Sequence, residues 1–268
     1  MMLGSEITWR ILSLNAEILL SVVIVTYNRS QTLIPVVESM SAALAALAIP
    51  TEIIVTDDCS SGTHLERLNS ITSAHVVGSE KNYGLGANCN KGLSAASGEF
   101  ILQMQDDWMP NLSLDFIPAL LHQMTLKPEI GLVILNSHSN KSSFQLKEKI
   151  TCSNGLLSVY TNNLKRDVQQ VGQHPYSDWP HIKSKYFLNT VGYYKTNCKM
   201  WQCELDYSQR INRQSTVYVG DVSWDTFVHI GEEWSFNNPW KKTLIIKLEN
   251  IGAGWIYKVY IKLKKRFL

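Results

Sequence analysis

The sequence is poor in the features that mark several large protein classes. It has no long hydrophobic run. The longest uncharged apolar stretches, around Leu19–Val25 and Ala42–Ile49, are too short to cross a bilayer. Its opening residues lack a basic start followed by an apolar run, so no secretory leader is expected there. It has no excess of either charge. The formal net charge is +2, which gives no case for nucleic acid as a partner. Cysteine is sparse, odd in number and unpaired in pattern. Cys59, Cys89, Cys152, Cys198 and Cys203 form no C-x-x-C pair, so a reducing, cytoplasmic compartment is the expectation. Internal repeats and low-complexity segments are missing too. What remains is a globular composition, 45% hydrophobic and 18% charged over 268 residues, enough for one large α/β domain or an ordinary domain with an appendage.

The first half alternates two periodicities. Leu19–Val25 is a β-branched run expected to be a buried strand, and apolar residues at helical spacing follow from Gln31 to Leu47. The same alternation continues through a strand at Glu52–Thr56, a helix at His64–Ile71 and a short strand at His75–Gly78. A helix at Leu85–Ala96, a strand at Glu99–Met104, a helix at Leu114–Leu126 and a strand at Gly131–Leu135 complete it. Such alternation predicts βαβ units, hence an α/β fold with a mostly parallel sheet. Beyond residue 136 the pattern weakens. Asn136–Lys149 and Gln173–Lys185 read as loops, with His174 and His181 on the surface, and Asn197–Ile211 reads as a helix.

Two acidic pairs, Asp57-Asp58 and Asp106-Asp107, follow predicted strands. Ligands of open α/β sheets bind at the carboxyl ends of strands. Carboxylates gathered there repel one another unless a cation compensates, and oxygen-ligated Mg²⁺ or Mn²⁺ usually bridges to a phosphate. A single pair of this kind more often caps the next helix. Two pairs in one sheet point instead to a shared crevice.

Three segments taken in order carry a resemblance: Ser21–Arg29 (SVVIVTYNR), Glu52–Gly62 (EIIVTDDCSSG) and Asn82–Trp108 (NYGLGANCNKGLSAASGEFILQMQDDW). Together they resemble family 2 glycosyltransferases of the GT-A fold. The resemblance implies a doubly wound, mostly parallel sheet with helices on both faces and a smaller acceptor-side region. It also implies a nucleotide-sugar-binding half at 1–135 and an acceptor-binding half at 136–268, integrated in one domain. The implied reaction is metal-dependent transfer of a sugar from a nucleotide-diphosphate donor to a hydroxyl. Inversion is implied, with a place in cell-surface polysaccharide or glycoconjugate synthesis and a saccharide or lipid-linked acceptor.

Residue by residue, the resemblance places Thr26, Tyr27 and Asn28 in the loop against the nucleotide base, and Asp57 and Asp58 on the base and ribose. Asn82, Gly84, Asn90 and Gly92 fall on a segment that shapes the donor pocket. Gln105-Asp106-Asp107 falls on the family's D-x-D metal motif, with Gln in place of the first acid. Asp107 and Asp106 are then the expected Mn²⁺ or Mg²⁺ ligands, with Asp106 also on the donor ribose. Phe187–Gly192 resembles the stretch preceding the acceptor site. Aligned on Arg210, Glu204 takes the place of the catalytic base, with Asp206 as the alternative. His229 resembles a late metal or diphosphate ligand.

Two other readings fit some of these features. A sugar nucleotidyltransferase shares the α/β plan and a metal-binding Asp, but needs a Gly-rich loop after the first strand, where Thr26–Ser30 has no glycine. A non-catalytic nucleotide-sugar-binding relative would explain Gln105 and Cys203. Trp255–Leu268 mixes aromatics with Lys and Arg. It suits either a helix lying on an anionic membrane surface, placing the protein at the inner face of the membrane, or an edge strand.

Overall fold

The computed structural model describes residues 18–137, 145–152, 154–161 and 176–231. The chain divides into two compact units, Met1–Val228 and His229–Leu268. The tail at 255–268 lies outside the described residues, as do Trp234 and Trp240. Among the described residues, no helix is long and apolar enough to cross a membrane.

The first unit is built on a nine-stranded sheet. Its first part follows the alternation in the sequence: β1 (Leu20–Thr26), α1 (Ser30–Ala45), β2 (Thr51–Asp57), α2 (Thr63–Asn69), β3 (His75–Val77), α3 (Leu85–Ala95) and β4 (Phe100–Gln105). A short β5 (Trp108–Pro110), α4 (Ile117–Leu126) and β6 (Ile130–Ile134) follow. Then come β7 (Gln145–Cys152), β8 (Gly155–Thr161), β9 (His181–Ser184), α5 (Lys185–Val191), α6 (Met200–Asn212), β10 (Tyr218–Val222) and β11 (Phe227–His229). Strand order is β3-β2-β1-β4-β9-β6-β10-β8-β7, and β5 pairs separately with β11. Strands β3, β2, β1 and β4 are parallel, β6 is parallel to β10, and β9 runs against both of its neighbours, β4 and β6.

The sheet is mixed and mostly parallel, as expected, but two expected loops are partly strand. Residues 145–149 belong to β7, and His181–Ser184 form β9 at the centre of the sheet. His181 is therefore fully buried rather than at the surface. The strand was hidden because two of its four residues are His and Lys, which break the apolar pattern by which buried strands are recognised.

Both faces of the sheet are covered at β1. Along β1 every residue is buried. Val23 and Val25 join a cluster with Cys89 and Leu93 of α3, Phe187 and Leu188 of α5, and Tyr207 and Ile211 of α6. The alternate residues Val22 and Ile24 point the other way, because side chains of a strand alternate between faces; α1 contributes Leu33, Val36, Val37 and Met40 to the core. A strand buried on both faces must be apolar throughout, which is why Leu19–Val25 is legible as one. Gly92 sets the approach of α3 to the sheet. A methyl there would meet Val23 Cγ1 at 2.5 Å and Thr56 Cγ2 at 3.0 Å.

Candidate active site

Register brings the motif residues together. Thr26 at the end of β1 lies beside Asp57 of β2, and Val25 lies beside Gln105 of β4. The acids that follow those strands therefore emerge at one edge of the sheet. Asp57, Asp58, Asp106 and Asp107 are all buried there.

Side-chain bonds fix the strand-end loops to one another. Thr26 Oγ1 donates to Asp106 Oδ2 at 2.6 Å. Asn28 donates its backbone N–H to Ser60 Oγ at 2.7 Å and accepts from the Ser61 N–H at 3.0 Å, joining the β1 and β2 loops. Asp57 accepts from the backbone N–H of Ser60 at 2.8 Å. The two oxygens of Asp58 accept the backbone N–H groups of Tyr83 and Gly84 at 2.9 and 2.8 Å. Asn82 also accepts from the Gly84 N–H, at 3.1 Å. Gly84 has φ +86°, a conformation that side chains disfavour, so the turn into α3 favours glycine there. Asn88, buried between β1 and β2, donates to the carbonyls of Thr26 and Thr56 and accepts from Thr56 Oγ1. Asn90 exchanges two hydrogen bonds with the backbone of Tyr194, both 2.8 Å. Tyr27 is half-buried on the same loop as Asn28.

A cation already sits on the second acidic pair. Arg29 places one terminal nitrogen 2.6 Å from Asp107 Oδ2 and the other 3.3 Å from Asp106 Oδ1. Burial pushes the Asp106 carboxyl up to about 7, while the Arg29 charge and the Thr26 hydrogen bond oppose the rise. The pair fits a divalent cation: two carboxylates side by side hold a positive group, and the guanidinium stands in for it. The protein's share of the ligands is small, because among the described residues no group of three or more His, Cys, Asp or Glu could hold a metal ion. Such a site takes its remaining oxygens from phosphate and water, as Mg²⁺ sites commonly do. His229 is the first residue of the C-terminal unit, at the end of β11.

A small, partly open cleft lies beside the end of β4. Gln105, Asp178, Tyr194, Cys203 and Glu204 are among its lining residues. Gln105 Nε2 donates to Asp178 Oδ2 at 2.7 Å, so this amide holds a carboxylate. Glu204 lies on α6. Burial pushes its carboxyl up to about 7, the charge of Asp178 adds to the rise, and a hydrogen bond from the Asp178 backbone opposes it. Asp206 faces elsewhere. Arg210 Nε donates to its Oδ2 at 2.9 Å, and the same guanidinium donates to the carbonyls of Val191 and Tyr193 at 2.5 and 2.7 Å. This places Asp206 in a clamp between α6 and the end of α5.

Below the cleft lies a buried polar network. Lys183 Nζ donates to Gln103 Oε1 and the Tyr194 hydroxyl, both at 2.9 Å, and stands 4.8 Å from the centre of the Tyr194 ring. Burial pulls this ammonium down to about 7. Trp179 is half-buried, its ring 5.6 Å from that of Trp108. Three residues of this region, Arg29, Asp178 and Lys183, were not singled out from the sequence. Arg29 had a visible signal, a lone cation in a loop facing acidic strand ends. Asp178 and Lys183 lie in a segment without strand or helix periodicity.

Comparison with known proteins places these observations. The model of the family described as glycosyl transferase family 2 matches residues 21–165, more than half of the chain. No curated protein matches it significantly. Among solved structures, that of S. aureus TarS is similar with a TM-score of 0.51 at 20% identity, over 78% of this chain and 36% of TarS. S. aureus TarS 1-349 in complex with UDP gives a TM-score of 0.52 at 19% identity, over 78% of this chain and 59% of that one. This chain thus spans less than two thirds of either TarS chain, and the likeness at such identity is one of fold. The family match runs through the strand ends at which the acidic pairs converge, and the chain belongs to glycosyl transferase family 2, with its GT-A fold.

Proposed function

We propose that the chain is a glycosyltransferase that moves a sugar from a nucleotide-diphosphate sugar to an acceptor hydroxyl, with inversion at the anomeric carbon. The observation that carries this reading is the cleft shared by Gln105 and Glu204, next to Asp106 and Asp107. It sets a carboxylate of raised pKa beside the strand end that would hold the donor's diphosphate, which is what displacement by a hydroxyl requires.

The donor half is formed by 1–135. Thr26, Tyr27, Asn28, Asp57 and Asp58 bind the nucleoside, with Asn82, Gly84 and Asn90 shaping the pocket floor. Asp58 retains capacity for the base, since each carboxylate oxygen has a second lone pair beyond the one used by Tyr83 or Gly84. Asp106 and Asp107 hold Mn²⁺ or Mg²⁺, and Asp106 meets the ribose. When bound, the cation neutralises the charge that gathers on the departing diphosphate. Glu204 accepts the proton of the attacking hydroxyl. Its half-buried position supports this role over Asp206, which is held by Arg210. The acceptor half at 136–268 takes a saccharide or lipid-linked acceptor in polysaccharide or glycoconjugate synthesis.

UDP is the first ligand to test, because TarS 1-349, similar in fold, has been solved with it. Thermal shift with UDP, GDP, CDP, ADP and dTDP, each with and without Mn²⁺, is expected to show one nucleotide raising the melting temperature in a Mn²⁺-dependent way. Absence of a shift with all five would refute the donor assignment.

A further inference from the structure

The Asp106–Asp107 pair has its own counter-ion. Arg29 caps the start of α1, in the short loop that joins it to β1, so the sheet and the helix together fix where its side chain starts. It bridges both acids through separate nitrogens, at 3.3 and 2.6 Å, and its side chain is only 16% exposed. Its Nε is buried without a hydrogen-bond partner among the described residues. The guanidinium is thus held by the two carboxylates through its outer nitrogens while its inner one is unsatisfied, a state that a better acceptor would improve. A diphosphate is such an acceptor, because its oxygens match the planar donor fork of arginine.

We propose that Arg29 couples the entry of the divalent cation to that of the donor diphosphate. In the free protein it neutralises Asp106 and Asp107 and excludes the cation. When a nucleoside diphosphate arrives, the guanidinium turns to the phosphate oxygens and releases the carboxylates. Asp106 and Asp107, once released, would be the residues that hold the divalent cation. Two features of the site support this order. The protein offers only two carboxylates, so a cation without phosphate has few ligands. Those two are already compensated. Arg29 is therefore a positioning residue whose effect falls first on metal binding. The inference rests on the glycosyltransferase reading of the site.

The test measures Mn²⁺ binding at equilibrium, from the electron paramagnetic resonance signal of the free ion, in the wild type and in Arg29→Met. Each is measured alone and with saturating UDP, or with whichever of the five diphosphates binds. Circular dichroism checks that the variant is folded. Without nucleotide, Arg29→Met is expected to bind Mn²⁺ at least tenfold more tightly than the wild type. The gain in Mn²⁺ affinity on adding nucleotide is expected to be at least tenfold smaller than in the wild type, since binding of the two ligands is reciprocally linked. Equal Mn²⁺ affinity of the two proteins without nucleotide overturns the proposal. Should Arg29→Met not fold, Arg29→Lys takes its place. A single ammonium cannot present the same fork to two carboxylates, so Mn²⁺ affinity above the wild type supports the coupling and equal affinity refutes it. If no diphosphate binds the wild type at any Mn²⁺ concentration, the glycosyltransferase reading itself has failed. If one binds normally and Arg29→Met leaves Mn²⁺ affinity unchanged, the role of Arg29 alone is wrong.

Discussion

Glu204→Gln separates donor binding from transfer. The glutamine keeps the shape of the side chain and removes its basicity. A positioned carboxylate base typically contributes on the order of 10²–10⁴ in rate, so transfer is expected to fall at least about a hundredfold, with nucleotide affinity unchanged. The structure also sets the pH at which the wild-type reaction fails. The carboxyl is pushed up from 4.5 to about 7, first by burial and then by the charge of Asp178. Below that value, turnover should drop about tenfold for each further pH unit as the ionised fraction falls. Asp178→Asn removes the neighbouring charge and should move the acid limb to lower pH. Burial is the larger cause, so the limb should remain above 4.5. The same shift acts on stability. The folded-state pKa lies above the unfolded one, so the contribution of Glu204 is fully present below pH 4.5 and is lost as pH rises through about 7. Glu204→Gln should therefore gain stability relative to the wild type over that window. Each pH unit corresponds to about 1.4 kcal/mol, and water screening of a half-buried group leaves on the order of 1–2 kcal/mol in total. Stopped assays of transfer across pH 5–9, with urea unfolding at the two ends of the window, test both parts. A flat profile between pH 5 and 7, or transfer abolished by Asp206→Asn and not by Glu204→Gln, would refute the assignment.

Asp107→Ala should abolish the Mn²⁺-dependent part of nucleotide binding, measured by calorimetry, with a cooperative melt retained because the residue lies in the turn between β4 and β5 and not in the apolar core. Asn88→Ala removes the side-chain hydrogen bonds to the Thr26 and Thr56 carbonyls and should cost on the order of 1–3 kcal/mol in urea unfolding, with weaker nucleotide binding as the β1 and β2 ends lose their tie. Lys183 has its pKa pulled from 10.5 to about 7. The unfolded chain therefore takes up its proton first, and stability should fall as pH drops from about 10.5 to about 7. In Lys183→Met that slope should be absent from melting curves recorded across the same range.

The parallel half of the sheet was legible because burial on both faces leaves a plain mark on a strand. Leu20–Thr26 and Phe100–Gln105 are nearly continuous apolar runs, and the helices between them repeat at helical spacing. β9 carries the opposite composition. Its His181 and Lys183 are wholly buried, and burial of such groups is normally costly. Lys183 is accommodated by partners distant in sequence, and one ring nitrogen of His181 by the backbone. Lys183 meets Gln103 on β4 and Tyr194 beyond α5, and His181 meets the carbonyl of Trp179. No local pattern records such pairings, so the segment read as a loop.

The site divides along the same line. Residues that end parallel strands were visible, since the strand fixes their edge and the register fixes their neighbours. Asp178 was invisible because its place depends on β9 entering the sheet between β4 and β6 and carrying the preceding turn over the end of β4. That same insertion gives Gln105 a physical reason. An acid at 105 would face the Asp178 carboxylate at hydrogen-bond distance and meet like-charge repulsion, whereas the amide donates to it. The amide at 105 is therefore matched to its neighbour. Asp178, on the turn before β9, lines the cleft with Glu204, where its charge helps to raise that group's pKa.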